Sequence, residues 1–234
     1  MWGGLMRIKE ALLPTRSTSA VVAFFDRLGC VVTRDGPSVT VRIGLSEVRF
    51  VERDFDGSHH LAFTIPTGTF ARAHQWLEQR TPLLSIDDRT EFEGPESWNS
   101  RSMYFDGPDG QVLELIERRG LPSRHVESFT AADLECVSEI GVAVPDVLAA
   151  VTTLRAAGIQ PYGNKPTGDF AAVGDIDGLL ILVTPGRAWF PTTSRHVADT
   201  PVTVNTSVER ELTRGAGKSL QPANANPAER APTD

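Results

Sequence analysis

The sequence predicts an α+β fold: tandem βαβββ modules forming open curled sheets, with three modules in the chain. Three observations predict it. An alternating strand that runs into an amphipathic helix occurs three times. Short strand-like runs follow each helix. Turn chemistry separates those runs at Asp35-Gly36-Pro37, Pro108-Asp109-Gly110 and Asp177-Gly178. A single module covers only one face of its sheet with its helix, so modules of this kind should pair to bury the other.

The first module opens with a strand at Ile8–Leu13 and a helix from Ser17 to Leu28. Ser17 is a natural N-cap, and Gly29 stops the helix. Val21, Phe24, Phe25 and Leu28 form its apolar stripe. Strands are expected at Val31–Arg34, Ser38–Ile43 and Glu47–Val51. The second module has a strand at His60–Ile65 and a helix near Thr67–Glu78 with Phe70, Ala73, Trp76 and Leu77 inward. Its later strands are Leu83–Ile86, Arg101–Asp106 and Gln111–Glu117. A polar insertion, Thr90–Asn99, is expected to arch over this sheet. The third module has a strand at Ser138–Val144 and a helix at Asp146–Ala157 capped by Asp146. Val147, Val151 and Leu154 pack this helix, and Gly158 ends it. Its later strands are Ile159–Tyr162, Phe170–Gly174 and Leu179–Val183.

This organisation predicts a paired unit at residues 1–119, a linker at 120–135 and a degenerate third module at 136–206. Residues 207–234, rich in Ala, Pro, Asn, Gly and charge, read as a disordered tail. An amphipathic third sheet without a partner module predicts packing against the back of the first two, or a homodimer through that module.

Bulk properties exclude some partners. The net charge is −7 over 234 residues, so no basic field recommends nucleic acid. The apolar runs are far short of a membrane span. Cys30 and Cys136 stand far apart without metal-ligand spacing, and no leader pattern opens the chain. These features predict reduced thiols and a cytoplasmic protein.

The most informative stretch is Met103–Glu117, which reads as strand, turn, strand. Leu113 and Leu115 point to one face, and Val112, Glu114 and Ile116 to the other. Glu114 thus lies in mid-strand among apolar neighbours. An ionised carboxylate there is costly unless a cation or donors meet it. It is either solvated, ion-paired or part of a site.

The segments His59–Pro66, Trp98–Arg119 and Glu10–Gly29 resemble the vicinal oxygen chelate superfamily, the glyoxalase, bleomycin-resistance and extradiol-dioxygenase group. A weaker third copy starts at Ser138. The resemblance implies a divalent metal inside a curled sheet, with ligands from the first and fourth strands of each module. Carried over position by position, it implies His60 and Glu114 from the second module and Glu10 from the first. Phe50 falls at the first module's fourth-strand position and cannot bind a metal. In the third module, Glu139 aligns with Glu10 and His60, and its fourth-strand position falls near Leu182.

Glu10, His60 and Glu114 would suit Zn²⁺, Mn²⁺, Fe²⁺ or Ni²⁺, with open positions left for substrate. Glu114 and Glu10 are then the expected proton carriers. One His with two Glu favours lyase, isomerase or hydrolase chemistry over ring-cleaving oxygenation, for which the family uses two His and one carboxylate. A metal-free binding protein of the bleomycin-resistance type is the alternative. The bland readings are an interior hydrogen-bonded His60 and a surface Glu10. His59 has the opposite parity and is expected to be exposed. Arg101, Arg187 and Trp189 read as surface or packing residues, and Trp98 as core or cavity mouth.

Overall fold

The computed structural model describes residues 6–207, 211–214 and 221–222. In chain order the elements are β1 (Ile8–Thr15), α1 (Thr18–Leu28), β2 (Val31–Asp35), β3 (Ser38–Ile43), β4 (Ser46–Glu52), β5 (His60–Ile65), α2 (Phe70–Glu78), β6 (Phe92–Glu93), β7 (Ser100–Asp106), β8 (Val112–Arg118), β9 (Cys136–Ala143), α3 (Val147–Ala156), β10 (Phe170–Asp175), β11 (Gly178–Val183), β12 (Val202–Thr206), β13 (Glu211–Arg214) and β14 (Gln221–Pro222).

The helix ends follow the capping logic. The Ser17 side chain accepts from the Ala20 amide, and Gly29 ends α1 at φ 86°. Asp146 accepts from the Ala149 amide at the start of α3. Within each module the first strand lies parallel to the last, as β1 beside β4, β5 beside β8 and β9 beside β11. The expected strand at Leu83–Ile86 is reduced to single bridges at Leu83 and Ile86, and that at Ile159–Tyr162 to one at Pro161.

The pairing of modules differs from the expected one. One seven-stranded sheet runs β14-β13-β12-β1-β4-β3-β2, and the other β10-β11-β9-β5-β8-β7-β6. The second module therefore pairs with the third, through antiparallel β5 and β9. The first pairs instead with the C-terminal strand β12. The physical reason lies in the strands themselves. Every residue of β5 is buried, as is β9 beyond Cys136, so both need cover on two faces. β1 alternates, with Lys9 and Leu12 exposed, and tolerates an open face. The third module's free edge is thus taken up within the chain. Of the segment read as a disordered tail, Glu211–Arg214 and Gln221–Pro222 form strands, while most of the remainder lies outside the described residues.

The helix-side faces of both sheets share one apolar core that runs from Phe25 and Phe50 through Phe63 and Phe105 to Ile140 and Leu180. Phe50 is fully buried there, 6.1 Å from the Phe25 ring, so it belongs to packing and not to a site. A smaller apolar cluster, with Val112, Ile181, Val183 and Trp189, lies on the other face of the second sheet.

Candidate metal centre

Strand alternation aims one set of side chains into the groove of the second sheet. β5 contributes His60 and Ala62, β7 contributes Ser102 and Tyr104, β8 contributes Glu114 and Arg118, and β9 contributes Glu139 and Gly141. The register sets Glu114 and Glu139 on either side of Ala62. The small alanine leaves the space above it to the two carboxylates. Gly141 serves a similar purpose, since a Cβ there would lie 2.4 Å from the Trp189 ring and 3.1 Å from His60 Cβ.

His60, Glu114 and Glu139 are all buried, and one ligand atom from each lies within 4.8 Å of the others. His60 Nε2 is 3.5 Å from Glu114 and 3.9 Å from Glu139. Its Nδ1–H donates to the Val112 carbonyl at 3.0 Å. That bond fixes the ring and turns Nε2 toward the carboxylates, the usual support of a metal-bound histidine. The other Glu139 oxygen pairs with Arg118, which is fully buried.

Burial pushes the Glu114 carboxyl up to about 7, and the Glu139 charge adds to the rise against the opposing pull of His60, Ser102 and Arg118. Burial alone would lower His60. The pull of the neighbouring Glu139 and Glu114 carboxylates and the Val112 carbonyl outweighs it, and His60 is raised. Desolvation and the charges of Glu114 and Glu139 raise Tyr104, half-buried in the cavity wall, well above the ordinary phenol value. Glu114 and His60 thus hold protons that a divalent ion would replace. The donor set, one imidazole nitrogen and two carboxylates, fits such an ion.

At the His60 end the groove opens into a cavity of about 110 Å³. Tyr104, Phe170, Ile181, Trp189 and Phe190 line it with His60. The Trp189 ring lies 5.2 Å from His60, and its N–H donates to the Ser58 carbonyl. Phe190 stands edge-on to Tyr104 and Phe92 at the mouth.

Of the residues the sequence singles out, His60 and Glu114 come together and Glu10 does not. Glu10 lies on β1 of the other sheet, where its carboxylate accepts from the Asn205 amide at 2.8 Å. Glu139 takes the place expected of it, because the third module, not the first, faces the second. The fourth-strand corner of this paired site is Ile181, since Leu182 points into the core. Phe50, in the other sheet, is not a corner of this site. His59 is buried, not exposed. Its Nε2 lies 3.3 Å from the Thr200 hydroxyl, and burial lowers it to about 4. Arg101 pairs with Glu117 at 2.9 Å outside the groove, and Arg187 and Trp189 are cavity residues. Arg118 is not among the sequence candidates, although it lies two residues beyond Ile116 and four beyond Glu114, on their face of the strand. Burial pushes the thiols up, Cys30 to about 12 and Cys136 to about 11, which leaves neither as a ready nucleophile.

No protein-family model matches the chain, and no curated protein sequence matches it. Solved structures do. A Bacillus subtilis protein assigned as a dioxygenase superposes with a TM-score of 0.58 at 14% identity, covering 93% of this chain and 84% of that one. A glyoxalase I variant from Zea mays gives 0.58 at 13% identity, over 93% and 91%. Glyoxalase I from the same plant gives 0.53 at 16% identity, over 86% and 74%. No helix among the described residues is long and apolar enough to cross a membrane. The chain has the fold of these glyoxalase and dioxygenase structures, the vicinal oxygen chelate fold that its hairpin and its repeats resemble.

Proposed function

We propose that this protein is a divalent-metal-dependent enzyme acting on a small organic substrate by lyase, isomerase or hydrolase chemistry. The observation that carries the reading is the convergence of His60 Nε2 with the carboxylates of Glu114 and Glu139 in a buried groove that opens into a cavity. His60, Glu114 and Glu139 would hold the ion. When bound, it would supply Lewis-acid polarisation of a carbonyl or hydroxyl oxygen.

The chain's own groups account for the rest. Val112 fixes the His60 ring through its carbonyl. Arg118 holds one oxygen of Glu139 and leaves the other facing His60. Glu114, whose carboxyl burial pushes up to about 7 in the metal-free site, would give up its proton to the solvent as it takes the ion. Tyr104, above Glu114, offers a hydroxyl to the same cavity. Trp189, buried against the His60 ring, shields that end from water. A single histidine among the described residues of the site disfavours the ring-cleaving oxygenase reading.

A second reading, a metal-free binder of small molecules, is favoured by Ile181 at the fourth corner and by the aromatic cavity wall. Metal analysis of protein purified without chelator separates the two. The enzyme reading expects about one divalent ion per chain, lost in His60→Ala. Protein that carries none and takes up none leaves only the binder.

A further inference from the structure

The end of the groove away from the cavity holds a feature that neither reading uses. Arg118 is 0% exposed. Its Nη2 pairs with Glu139, but Nε and Nη1 have no hydrogen-bond partner among the described residues. A guanidinium keeps its charge in a protein, and buried N–H donors without acceptors are costly. The neighbours do not supply the missing acceptor. The Trp98 ring covers the guanidinium at 5.5 Å, and its own Nε1–H is buried and unpartnered. Ser100, which lies opposite Arg118 across β7 and β8, also has a buried hydroxyl without a partner. Every free group here donates or can donate, so the deficit is of acceptors.

The cover over Arg118 is lightly held. Trp98 ends a short turn, Glu96–Trp98, that begins after Pro95, and residues 95–97 are exposed. The turn rests on the third module through one exposed hydrogen bond, Ser97 Oγ to Asn164 Oδ1 at 2.9 Å, and through the Trp98 edge against Tyr162 at 5.7 Å. Gly163 allows this close seat, since a Cβ there would fall 2.4 Å from Trp98 Nε1. Surface contacts of this kind open locally at small cost compared with the strands beneath them.

We propose that Arg118, with the Ser100 hydroxyl, forms a subsite for a carboxylate of the substrate, admitted when the Trp98 turn lifts. The planar fork of Arg matches a carboxylate, which brings the charge and the acceptor atoms that the pocket lacks. The subsite adjoins Glu139, so one small molecule could reach both it and the candidate metal centre. As a statement about substrate it rests on the reading proposed above. The substrate class it names is a small organic acid.

The test uses the full chain stripped of metal with EDTA, with benzoate and its neutral isostere benzamide as probes, followed by calorimetry. Benzoate should bind saturably, at least tenfold tighter than benzamide, and weaken as salt rises. Arg118→Gln, checked for folding by thermal unfolding, should weaken benzoate at least tenfold and leave benzamide unchanged. If that variant does not fold, Trp98→Ala decides in the Arg118 background. Removing the cover should tighten benzoate or speed its association severalfold, without the same change for benzamide. The proposal is overturned if wild type and Trp98→Ala bind benzoate no better than benzamide, or if a folded Arg118→Gln binds benzoate as wild type does. Because the probes are read without metal, failure here leaves the metal analysis untouched, and failure to take up metal leaves the subsite standing.

Discussion

Glu10 and Glu139 hold the same place in two modules, and the fold gives them different fates. Each lies on a first strand that pairs antiparallel with another, β1 with β12 and β9 with β5. In the first sheet the row across the strands reads Glu47, Glu10, Asn205. Glu47 is partly exposed and pairs with Arg42, while Glu10 accepts from Asn205. In the second sheet the row reads Glu114, Ala62, Glu139. There the carboxylates are 3% exposed, and His60 and Arg118 are their partners. The difference is cover. Trp189 closes one end of the second groove and Trp98 covers the other, whereas Glu10 is partly exposed. A carboxylate row becomes a site when it is roofed, because only then does desolvation force it to hold a proton or a cation.

The largest effects should come from removing ligands on one side of this comparison only. His60→Ala and Glu139→Gln are expected to abolish stoichiometric uptake of a divalent ion, measured by metal analysis after dialysis. Glu10→Gln should leave uptake unchanged. Equal loss in Glu10→Gln would mean that the first sheet contributes to the centre after all.

The next effect is on stability, and its sign follows from the raised protonation of the roofed groups. Glu114 goes from an ordinary 4.5 to about 7 on folding, and His60 is also raised. A group raised by folding stabilises the fold below its unfolded value, and that contribution is lost as pH rises through the folded value. Metal-free protein should therefore lose stability as pH rises from about 4.5 to 7, by roughly 3 kcal/mol at most from Glu114. Glu114→Gln should remove most of this slope and make the metal-free protein more stable than wild type at pH 8. Thermal melts across pH in EDTA check it, and a wild-type melting curve flat from pH 5 to 8 would contradict it. A divalent ion should restore wild-type stability above pH 7, because it takes the place of the protons.

A third effect probes the roof. Gly141→Ala sets a methyl 2.4 Å from the Trp189 ring. Relieving that overlap costs about 1–3 kcal/mol in a packed site. It should also move the indole off His60, which the tryptophan fluorescence would register. An unchanged spectrum and melting temperature would mean that Trp189 is not a fixed part of the cover.

Much of this was legible along the chain, and the missing part has one cause. The three modules, the caps at Ser17 and Asp146, and the parity of His60 and Glu114 are local features that strand and helix periods reveal. Which module faces which is set by long-range strand pairing, and alternation within a module is the same whichever neighbour it takes. That choice turned Glu10 from an expected ligand into a hydrogen-bond partner of Asn205, and it brought Glu139 in. A signal was present. Apart from Thr64, Ser138 and the site residues, the first strands of the second and third modules are apolar on both faces, while Ile8–Leu13 carries the adjacent charges Lys9 and Glu10. Arg118 was hidden by its neighbour Arg119, which pairs with Glu93 at the surface. Two adjacent arginines at a strand end read as solvated charge, although alternation requires one of them to point inward.

The smallest effect sharpens the comparison from the unroofed side. Asn205→Ala removes the donor to Glu10 and leaves that carboxylate with access to water. Water can replace the lost hydrogen bond, so the cost should stay at about 0.5–1 kcal/mol. Metal uptake should not change. Breaking the Arg118–Glu139 pair with Glu139→Gln exchanges a charge for an amide beside a guanidinium that has no water to turn to, so its cost should be several-fold larger. Chemical denaturation of both variants, without metal and at pH 7, measures the ratio directly. Equal losses would place the two carboxylates in equivalent surroundings and remove the argument that cover separates the two sheets.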